Sequence, residues 1–307
     1  MKFKSPIKWS GSKSPLAEEI VNHFPILEKG GTYYEPFCGS CAVLFELLTN
    51  PKHENKRTFD SYVCSDLNSD LINLWNCIKT APDLLSKYYI TKWNSFNLTD
   101  HYSIGVDIST ETLYRKRKKI FYDTKKIFNQ PRCNSSELIK VCRFLFLLRT
   151  SFNGLLRYNK KGEYNSTCHF SRPGIHPDKL DKILHNTSDI LNKYDVQFIH
   201  QSYTNITNIS EKDLFFLDPP YSDTGSGGKS MYYGNINEQD LINFCDNLPC
   251  SYILTYNGDR GDNYGDRLKL KNVKEILLES KTSSYSRMNG KNVKVSEIMY
   301  VKIPKKF

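Results

Sequence analysis

The chain has 307 residues, of which 39% are hydrophobic and 25% charged, and its formal net charge is +10. This apolar content excludes a disordered or collagen-like chain, and the length allows one large domain, or one and a half, with a buried core. No apolar stretch approaches the roughly 20 residues of a membrane-spanning helix, and the first residues lack the apolar segment of a signal peptide. The nine Cys residues are scattered, which predicts reduced thiols in a cytoplasmic protein.

The positive charge is concentrated in one part of the chain. Residues 111–172 contain 15 Lys and Arg but only 4 Asp and Glu, a net charge of +11, whereas the rest of the chain has a net charge of −1. A single basic run, such as the five cations from Arg115 to Lys119, usually marks a solvated helix face. Clustering on this scale favours a polyanion as partner, because clustered cations release counterions from a phosphate backbone.

Predicted strands and helices alternate in both the first and the last part of the sequence. The first part predicts a helix over 14–24, with Ser14 as N-cap and Pro15 in its first turn, a strand over 32–37, a helix over 42–48, a strand over 62–65 and a helix over 69–79. Residues 81–168 are predicted to be helical and basic. The last part predicts helices near 178–193 and 238–247, and strands near 196–200, 214–217, 252–256, 273–279 and 295–302. This alternation predicts an α/β domain with a parallel sheet, interrupted by a basic helical insertion.

The first predicted strand ends in a glycine turn, and the second ends in a carboxylate. Gly39 allows a ligand to approach the backbone at a helix N-terminus. Asp66 can accept hydrogen bonds from ribose hydroxyls, and it follows Gly39 by 27 residues, near the ~20 typical of nucleotide-binding sheets. An ordinary βα connection gives the same pattern. The pair Cys38 and Cys41 has the spacing of metal or redox motifs, but small residues at a ligand turn explain it better, since no second pair has ligand spacing.

A more specific motif, Asp218-Pro219-Pro220-Tyr221, follows the buried strand predicted at 214–217. The two prolines end the strand and fix the backbone. The amino group of a nucleobase is a poor nucleophile, but hydrogen bonds from it to Asp218 and the Pro219 carbonyl favour a tetrahedral nitrogen with a free lone pair. Tyr221 can stack on a base that has left the duplex. The motif therefore predicts chemistry on an exocyclic amine.

In their order along the chain, these motifs resemble the DNA adenine-N6 methyltransferases of the Dam (D12) family. The resemblance covers nearly the whole sequence. Its elements are Lys8–Lys13 (KWAGGK in the family), Glu35–Ser40 and the following residue (EPFxGxG), Ser65–Ile72 (D-x-N-S-D-L-I), Phe152–Asn159 (a DNA-contacting stretch), Asp218–Tyr221 (DPPY) and Lys294–Ile298 (V-K-E-L).

The resemblance implies a Rossmann-like, S-adenosylmethionine-dependent methyltransferase sheet, formed by residues 1–80 and 170–307, with a target-recognition domain inserted at 81–169. It implies methyl transfer from S-adenosylmethionine to N6 of an adenine flipped out of double-stranded DNA. The target is GATC-like or another sequence, and restriction-modification is one role open to such an enzyme. A monomer or weak dimer in the cytoplasm, associated with the nucleoid of a bacterial or virus-infected cell, is expected.

The resemblance also implies roles for individual residues, without a metal. The catalytic residues are Asp218, Pro219, Pro220 and Tyr221. The cofactor-binding residues are Trp9, Lys13, Glu35, Phe37, Gly39, Asp66, Tyr203 (or its neighbour Ser202) and Asp218. The DNA-binding residues are Phe152, Asn153 and Arg157, and the charge distribution adds Lys116, Lys118 and Lys119.

Departures from the family pattern lie mostly in the recognition region. Arg149–Ser151 and Asn165–His169 differ from the family, which leaves the target sequence open, and Cys41 replaces the second glycine of the donor loop. Two alternatives remain: methylation of RNA or a protein amide, where Asn often replaces the catalytic Asp, and a non-catalytic DNA-binding regulator. Such a regulator would be expected to lose Asp218 or the segment Trp9–Lys13, and both are present.

Overall fold

The strands form one mixed sheet. The computed structural model describes residues 3–99, 108–130, 136–220, 236–260, 267–280 and 295–303. The strands are β1 (Thr32–Glu35), β2 (Ser61–Asp66), β3 (Val196–His200), β4 (Leu214–Leu217), β5 (Ser251–Arg260), β6 (Lys274–Ser280) and β7 (Val295–Lys302). Their order is β3-β2-β1-β4-β5-β7-β6. Adjacent strands are parallel from β3 to β5, whereas β7 runs antiparallel to both β5 and β6. The predicted Rossmann-like α/β sheet is thus confirmed.

The strand order reverses between β1 and β4. From β1 the chain continues to β2 and β3 on one side, and it then returns to β4 on the other side of β1. Every residue of β4 is buried, as expected of a central parallel strand that is covered on both faces. At such a reversal, the carboxyl ends of the strands border a crevice in which ligands bind. The ends of β1, β2 and β4 are the positions of the predicted site residues.

The helices share a core with the sheet. They are α1 (Ala17–Asn22), α2 (Ala42–Thr49), α3 (Ser69–Thr80), α4 (Pro82–Asn97), α5 (Thr110–Phe128), α6 (Glu137–Thr150), α7 (Pro177–Lys193) and α8 (Glu238–Asn247). Helices α4, α5 and α6 pack against one another, and α3 contacts both α6 and α7. Their buried apolar side chains join those of β1, β2 and β3 in one continuous cluster. No helix in the described ranges is long and apolar enough to cross a membrane.

The first helix is shorter than predicted, so Ser14 is not its N-cap. Helix α1 begins at Ala17, with Leu16 at the N-cap position. Ser14 and Pro15 lie in a preceding turn, in which the Leu16 N–H donates to the Lys13 carbonyl over 2.9 Å. The Lys13 side chain forms an ion pair with Asp218, which directly follows the carboxyl end of β4. Because that pair holds the chain at residue 13, the helix starts only after the turn.

Candidate active site

Glu35 ends β1 and supports the turn that follows. Its buried carboxylate accepts hydrogen bonds from the Tyr33 hydroxyl (2.7 Å) and from the N–H of Leu44 (3.1 Å) in the first turn of α2. Burial raises the pKa of Glu35 to about 8. The structure therefore places this predicted cofactor residue beneath the loop, where it joins the strand to the helix.

Two tryptophans enclose Gly39 at the centre of the turn. Gly39 has φ +43°, and a Cβ atom on it would lie only 2.8 Å from Nε1 of the Trp9 indole. Its carbonyl accepts a hydrogen bond from Nε1 of Trp75, on α3, over 2.9 Å. The first glycine of the loop is thus required both by its backbone conformation and by the indole that packs on it. This contact brings the N-terminal motif onto the donor loop.

Cys41 takes the backbone conformation that usually favours glycine. It has φ 52° and ψ 33°, in the left-handed region, and it is the N-cap residue of α2. Its side chain is fully buried, close to Cys38 and Cys64, and burial raises the pKa of all three thiols. Replacement of the family's second glycine therefore keeps a left-handed turn and adds a neutral thiol to the core.

Asp66 lies at the end of β2 and is oriented by backbone donors. The Asn68 N–H donates to its Oδ1 over 2.9 Å, and the Gly39 N–H approaches its Oδ2 at 3.4 Å. Burial raises the pKa of Asp66 to about 6, against the opposing effect of these donors. The carboxylate is therefore mostly ionised at neutral pH, the form that accepts hydrogen bonds most strongly.

Aromatic rings lie near the same edge of the sheet. Phe37 follows β1, and its ring centroid is 5.2 Å from that of Tyr203. Tyr203 is buried and lies in a short 3₁₀ helix after β3. A carboxylate that can accept hydrogen bonds from a diol, together with nearby aromatic side chains, fits a nucleoside such as the adenosine of a methyl donor.

Asp218 follows β4 and is fixed by two donors on one oxygen. Lys13 Nζ lies 2.6 Å from its Oδ1, and the Thr255 hydroxyl donates to the same oxygen over 2.9 Å. Lys13 is only 6% exposed and also lies 3.3 Å from Oε2 of Glu297 on β7. This network gives the predicted catalytic carboxylate a defined orientation. Pro219 and Pro220 follow directly, whereas Tyr221 lies outside the described residues.

Two of these contacts were not predicted as site contacts. Thr255 is a buried hydroxyl residue in β5, one position after Leu254, which pairs with Leu217 of β4. Glu297 belongs to a quoted motif, but its ion pair with Lys13 depends on β7 running antiparallel beside β5. The only sequence signal for Thr255 is that it interrupts an aliphatic and aromatic run over residues 252–256. The pairing with Lys13 has no local signal.

The predicted DNA-contacting stretch follows α6. Phe152 is partly exposed, and its ring stacks on that of His169 with centroids 4.9 Å apart. Asn153 has a left-handed backbone, with φ 53°, and Arg157 is exposed. Antiparallel bridges join Ser151 to Cys168 and Tyr158 to Tyr164. The stretch is therefore one arm of an irregular two-stranded ribbon that spans residues 151–168, which we call the recognition ribbon.

The five consecutive cations on α5 have different environments. Arg117 is buried, and its guanidinium donates to Oδ1 of Asn97 (2.6 Å) and to the Phe170 carbonyl (3.0 Å). Arg115 and Lys119 form ion pairs with acidic residues one turn away, Glu111 and Asp123. The three lysines that were predicted to bind DNA are all exposed; they are Lys116, Lys118 and Lys119.

Comparisons with known proteins identify the family to which the chain is similar. The family model for the D12 class N6 adenine-specific DNA methyltransferases matches residues 9–293. A type II methyltransferase from Methanocaldococcus jannaschii is 30% identical over 79% of this chain and 78% of its own length. A DNA adenine methylase from Vibrio cholerae is 27% identical, covering 76% of this chain and 71% of the relative. That of Escherichia coli is 26% identical, covering 72% and 66%.

The family model covers almost the entire chain, including both of its predicted sites. Asp66, Gly39 and Asp218, which the motifs single out, lie at the carboxyl ends of three adjacent strands. The chain belongs to the D12 class of N6 adenine-specific DNA methyltransferases.

Proposed function

We propose that this DNA adenine methyltransferase uses S-adenosylmethionine as donor and acts on an adenine flipped out of duplex DNA at a specific sequence. The observation that carries the proposal is the position of Asp218. Its carboxylate is fixed by Lys13 and Thr255 at the end of β4, beside the Gly39 turn of β1. A fixed acceptor next to a nucleoside-binding edge is what transfer to an exocyclic amine requires.

On the donor side, each residue has a distinct task. Asp66 accepts hydrogen bonds from the ribose hydroxyls, and the rings of Phe37 and Tyr203 contact the apolar parts of the cofactor. Trp9 packs on Gly39 and so keeps the turn open for the ligand. S-Adenosylmethionine supplies an electrophilic methyl group on a sulfonium sulfur, which keeps the electron pair of the broken S–C bond.

On the acceptor side, Asp218 and the Pro219 carbonyl accept the two N–H bonds of the adenine amino group. The nitrogen lone pair is then free to form the new C–N bond, and the proton that N6 loses leaves to solvent. Lys13 orients Asp218, and Glu297 forms a second ion pair with Lys13. Tyr221 stacks on the flipped base.

On the DNA side, we assign target recognition to the insertion at 81–169. Its support is the net charge of +11 in residues 111–172 and the exposure of Arg157 on the recognition ribbon. Arginine is the side chain best suited to read guanine in the major groove. Phe152 and Asn153 contact the target site, and the lysines of α5 contact phosphates. The oligomeric state, monomer or weak dimer, and the association with the nucleoid stay predictions.

The test has two stages. Methylation-aware sequencing of DNA from cells that express the chain, in a host without adenine methylation of its own, identifies the target site. Purified protein is then given labelled S-adenosylmethionine and a short duplex with that site. Asp218→Ala should lower transfer by at least about 100-fold, because the acceptor of the reacting amine is lost. DNA binding should be largely retained.

Matched variants separate chemistry from folding. Thr255→Val keeps the shape of the side chain but removes one donor to Asp218, and it should lower kcat by about 10-fold with little change in KM for DNA. Asp189→Asn removes an exposed carboxylate on α7, outside the residues assigned to either ligand, and should leave kcat unchanged. Full transfer by Asp218→Ala, or labelling of single-stranded RNA in preference to the duplex, would refute the proposal.

A further inference from the structure

Asn68 uses three polar groups to join three parts of the molecule. Its backbone N–H donates to Oδ1 of Asp66 over 2.9 Å. Its side-chain oxygen accepts from the Leu71 N–H over 3.1 Å and so caps α3. Its side-chain NH₂ donates to the hydroxyl of Tyr158 over 3.0 Å. Asn68 is only 3% exposed, so each of these hydrogen bonds is protected from competition with water.

Tyr158 belongs to the recognition ribbon and adjoins Arg157, the predicted base-reading residue. It forms the antiparallel bridge with Tyr164, and the two rings meet edge to face. The backbone of Arg157 is held on both sides, because its N–H donates to Ser166 Oγ and its carbonyl accepts from the Asn165 N–H. A displacement of Arg157 on the DNA would therefore displace the Tyr158 hydroxyl as well.

Helix α3 carries this connection further. Its N-cap is Asn68, and its Trp75 donates to the carbonyl of Gly39 in the donor loop. Asp70, in its first turn, forms an ion pair of 2.7 Å with Lys140 of α6, the helix that leads into the recognition ribbon. Both oxygens of the ribose-binding carboxylate therefore depend on α3: Oδ1 through Asn68 and Oδ2 through Gly39.

We propose that Asn68 and Tyr158 are positioning residues that couple DNA binding to cofactor binding. When DNA binds the recognition ribbon, the hydrogen bonds from the cofactor to Asp66 become stronger. The inference rests on the proposed function, since it needs Asp66 at the ribose and the ribbon on DNA. A coupling free energy between two sites is reciprocal. The cofactor must therefore tighten DNA binding by the same factor.

The experiment measures that factor by calorimetry. Binding of S-adenosylhomocysteine, the unreactive product, is titrated with and without a short duplex that carries the sequenced target site. In the wild type the duplex should raise cofactor affinity by about 2- to 10-fold, the worth of one buried hydrogen bond. Tyr158→Phe should reduce the factor to about 1, while the affinity for S-adenosylhomocysteine alone changes little. A merely structural role would weaken both ligands and leave the factor unchanged.

Two further variants make the result specific. Asn68→Ser keeps an N-cap oxygen for Leu71 but is too short to reach Tyr158, so it should lose the coupling without loss of α3. Tyr164→Phe removes a hydroxyl from the opposite arm of the same bridge and should keep the wild-type factor. If Tyr158→Phe retains the factor, or if the wild type has none, the inference is wrong although the proposed function stands. If the wild type does not bind S-adenosylhomocysteine, the proposed function itself has failed.

Discussion

The carboxyl edge of the sheet, where β1, β2 and β4 end, and the basic helix α5 both contain charged residues that the sequence singled out. Their side chains have different environments in the structure. At the edge, Lys13 forms ion pairs with both Asp218 and Glu297, and all three side chains are largely buried. On α5, one cation of the consecutive five is buried and two are paired with acidic neighbours. The motifs thus singled out residues that the structure brings together, whereas the charge count singled out only a region. The predictions below test this difference.

The largest effect on cofactor affinity is expected at Gly39. Gly39→Ala places a Cβ atom within 2.8 Å of the Trp9 indole at a position with φ +43°. Overpacking of this kind costs about 1–3 kcal/mol, which lowers cofactor affinity by roughly 10- to 100-fold if the turn has to move. Calorimetry with S-adenosylhomocysteine measures the loss.

Gly30→Ala is the matched control for that substitution. Gly30 also has a left-handed backbone, with φ +105°, but a Cβ atom there would make only ordinary contacts, the nearest at 3.7 Å. It should destabilise the fold without a specific loss of cofactor affinity. If both variants bind the cofactor with equal affinity, contact with the Trp9 indole does not explain the loss of affinity in Gly39→Ala.

The largest effect on the free energy of unfolding is expected at Arg117. Arg117→Ala leaves two buried acceptors, Asn97 Oδ1 and the Phe170 carbonyl, without their donor and opens a cavity beside the Phe96 ring. The free energy of unfolding should fall by about 2–4 kcal/mol. Arg115→Ala, in the same basic run, should change it little because that pair is exposed. Urea unfolding of both variants compares them, and equal midpoints would mean that burial of Arg117 adds no stability.

The fold followed closely from local patterns, because burial and turn chemistry act within a few residues. The strand Leu214–Leu217 and the helix Glu238–Asn247 have the predicted bounds. The predicted start of α1 was wrong because the long-range ion pair of Lys13 with Asp218 holds the turn that precedes the helix. The hydrogen bonds from Thr255 to Asp218 and from Asn68 to Tyr158 were likewise beyond sequence reasoning. They join residues 37 and 90 positions apart, and only the packed chain brings these together.

A smaller effect should follow from pH at the cofactor edge. Burial raises the pKa of Asp66 to about 6, and the ionised carboxylate accepts hydrogen bonds from ribose hydroxyls more strongly than the protonated carboxyl group does. Cofactor affinity should therefore be constant above pH 7 and should fall as the pH drops below about 6, with at most about a tenfold loss per pH unit. Calorimetry between pH 5 and 8 shows the profile.

Asp66→Asn should bind weakly with a flat profile. His200, whose charge also acts on Asp66, is the other titratable group to control, and His200→Gln should retain the pH dependence. A flat wild-type profile would exclude Asp66 as the ribose acceptor.

The smallest effect distinguishes the exposed lysines of α5 from one another. Each phosphate contact contributes ~0.9 to the slope of log affinity against log salt. Lys116 is exposed and takes no part in the ion pairs of α5, whereas Lys119 lies 2.7 Å from the carboxylate of Asp123. Lys116→Gln should therefore reduce the slope by nearly the full amount, and Lys119→Gln by less, because Asp123 already neutralises part of its charge. Asp123→Asn should steepen the slope by freeing Lys119 for the duplex.

Arg157→Ala should leave the slope nearly unchanged and relax discrimination between target and non-target sites by roughly 1–3 kcal/mol, since base contacts specify the sequence and phosphate contacts position the protein. If Lys116→Gln and the wild type have equal slopes, the run from Arg115 to Lys119 is a solvated helix face, and the recognition ribbon carries the DNA contacts.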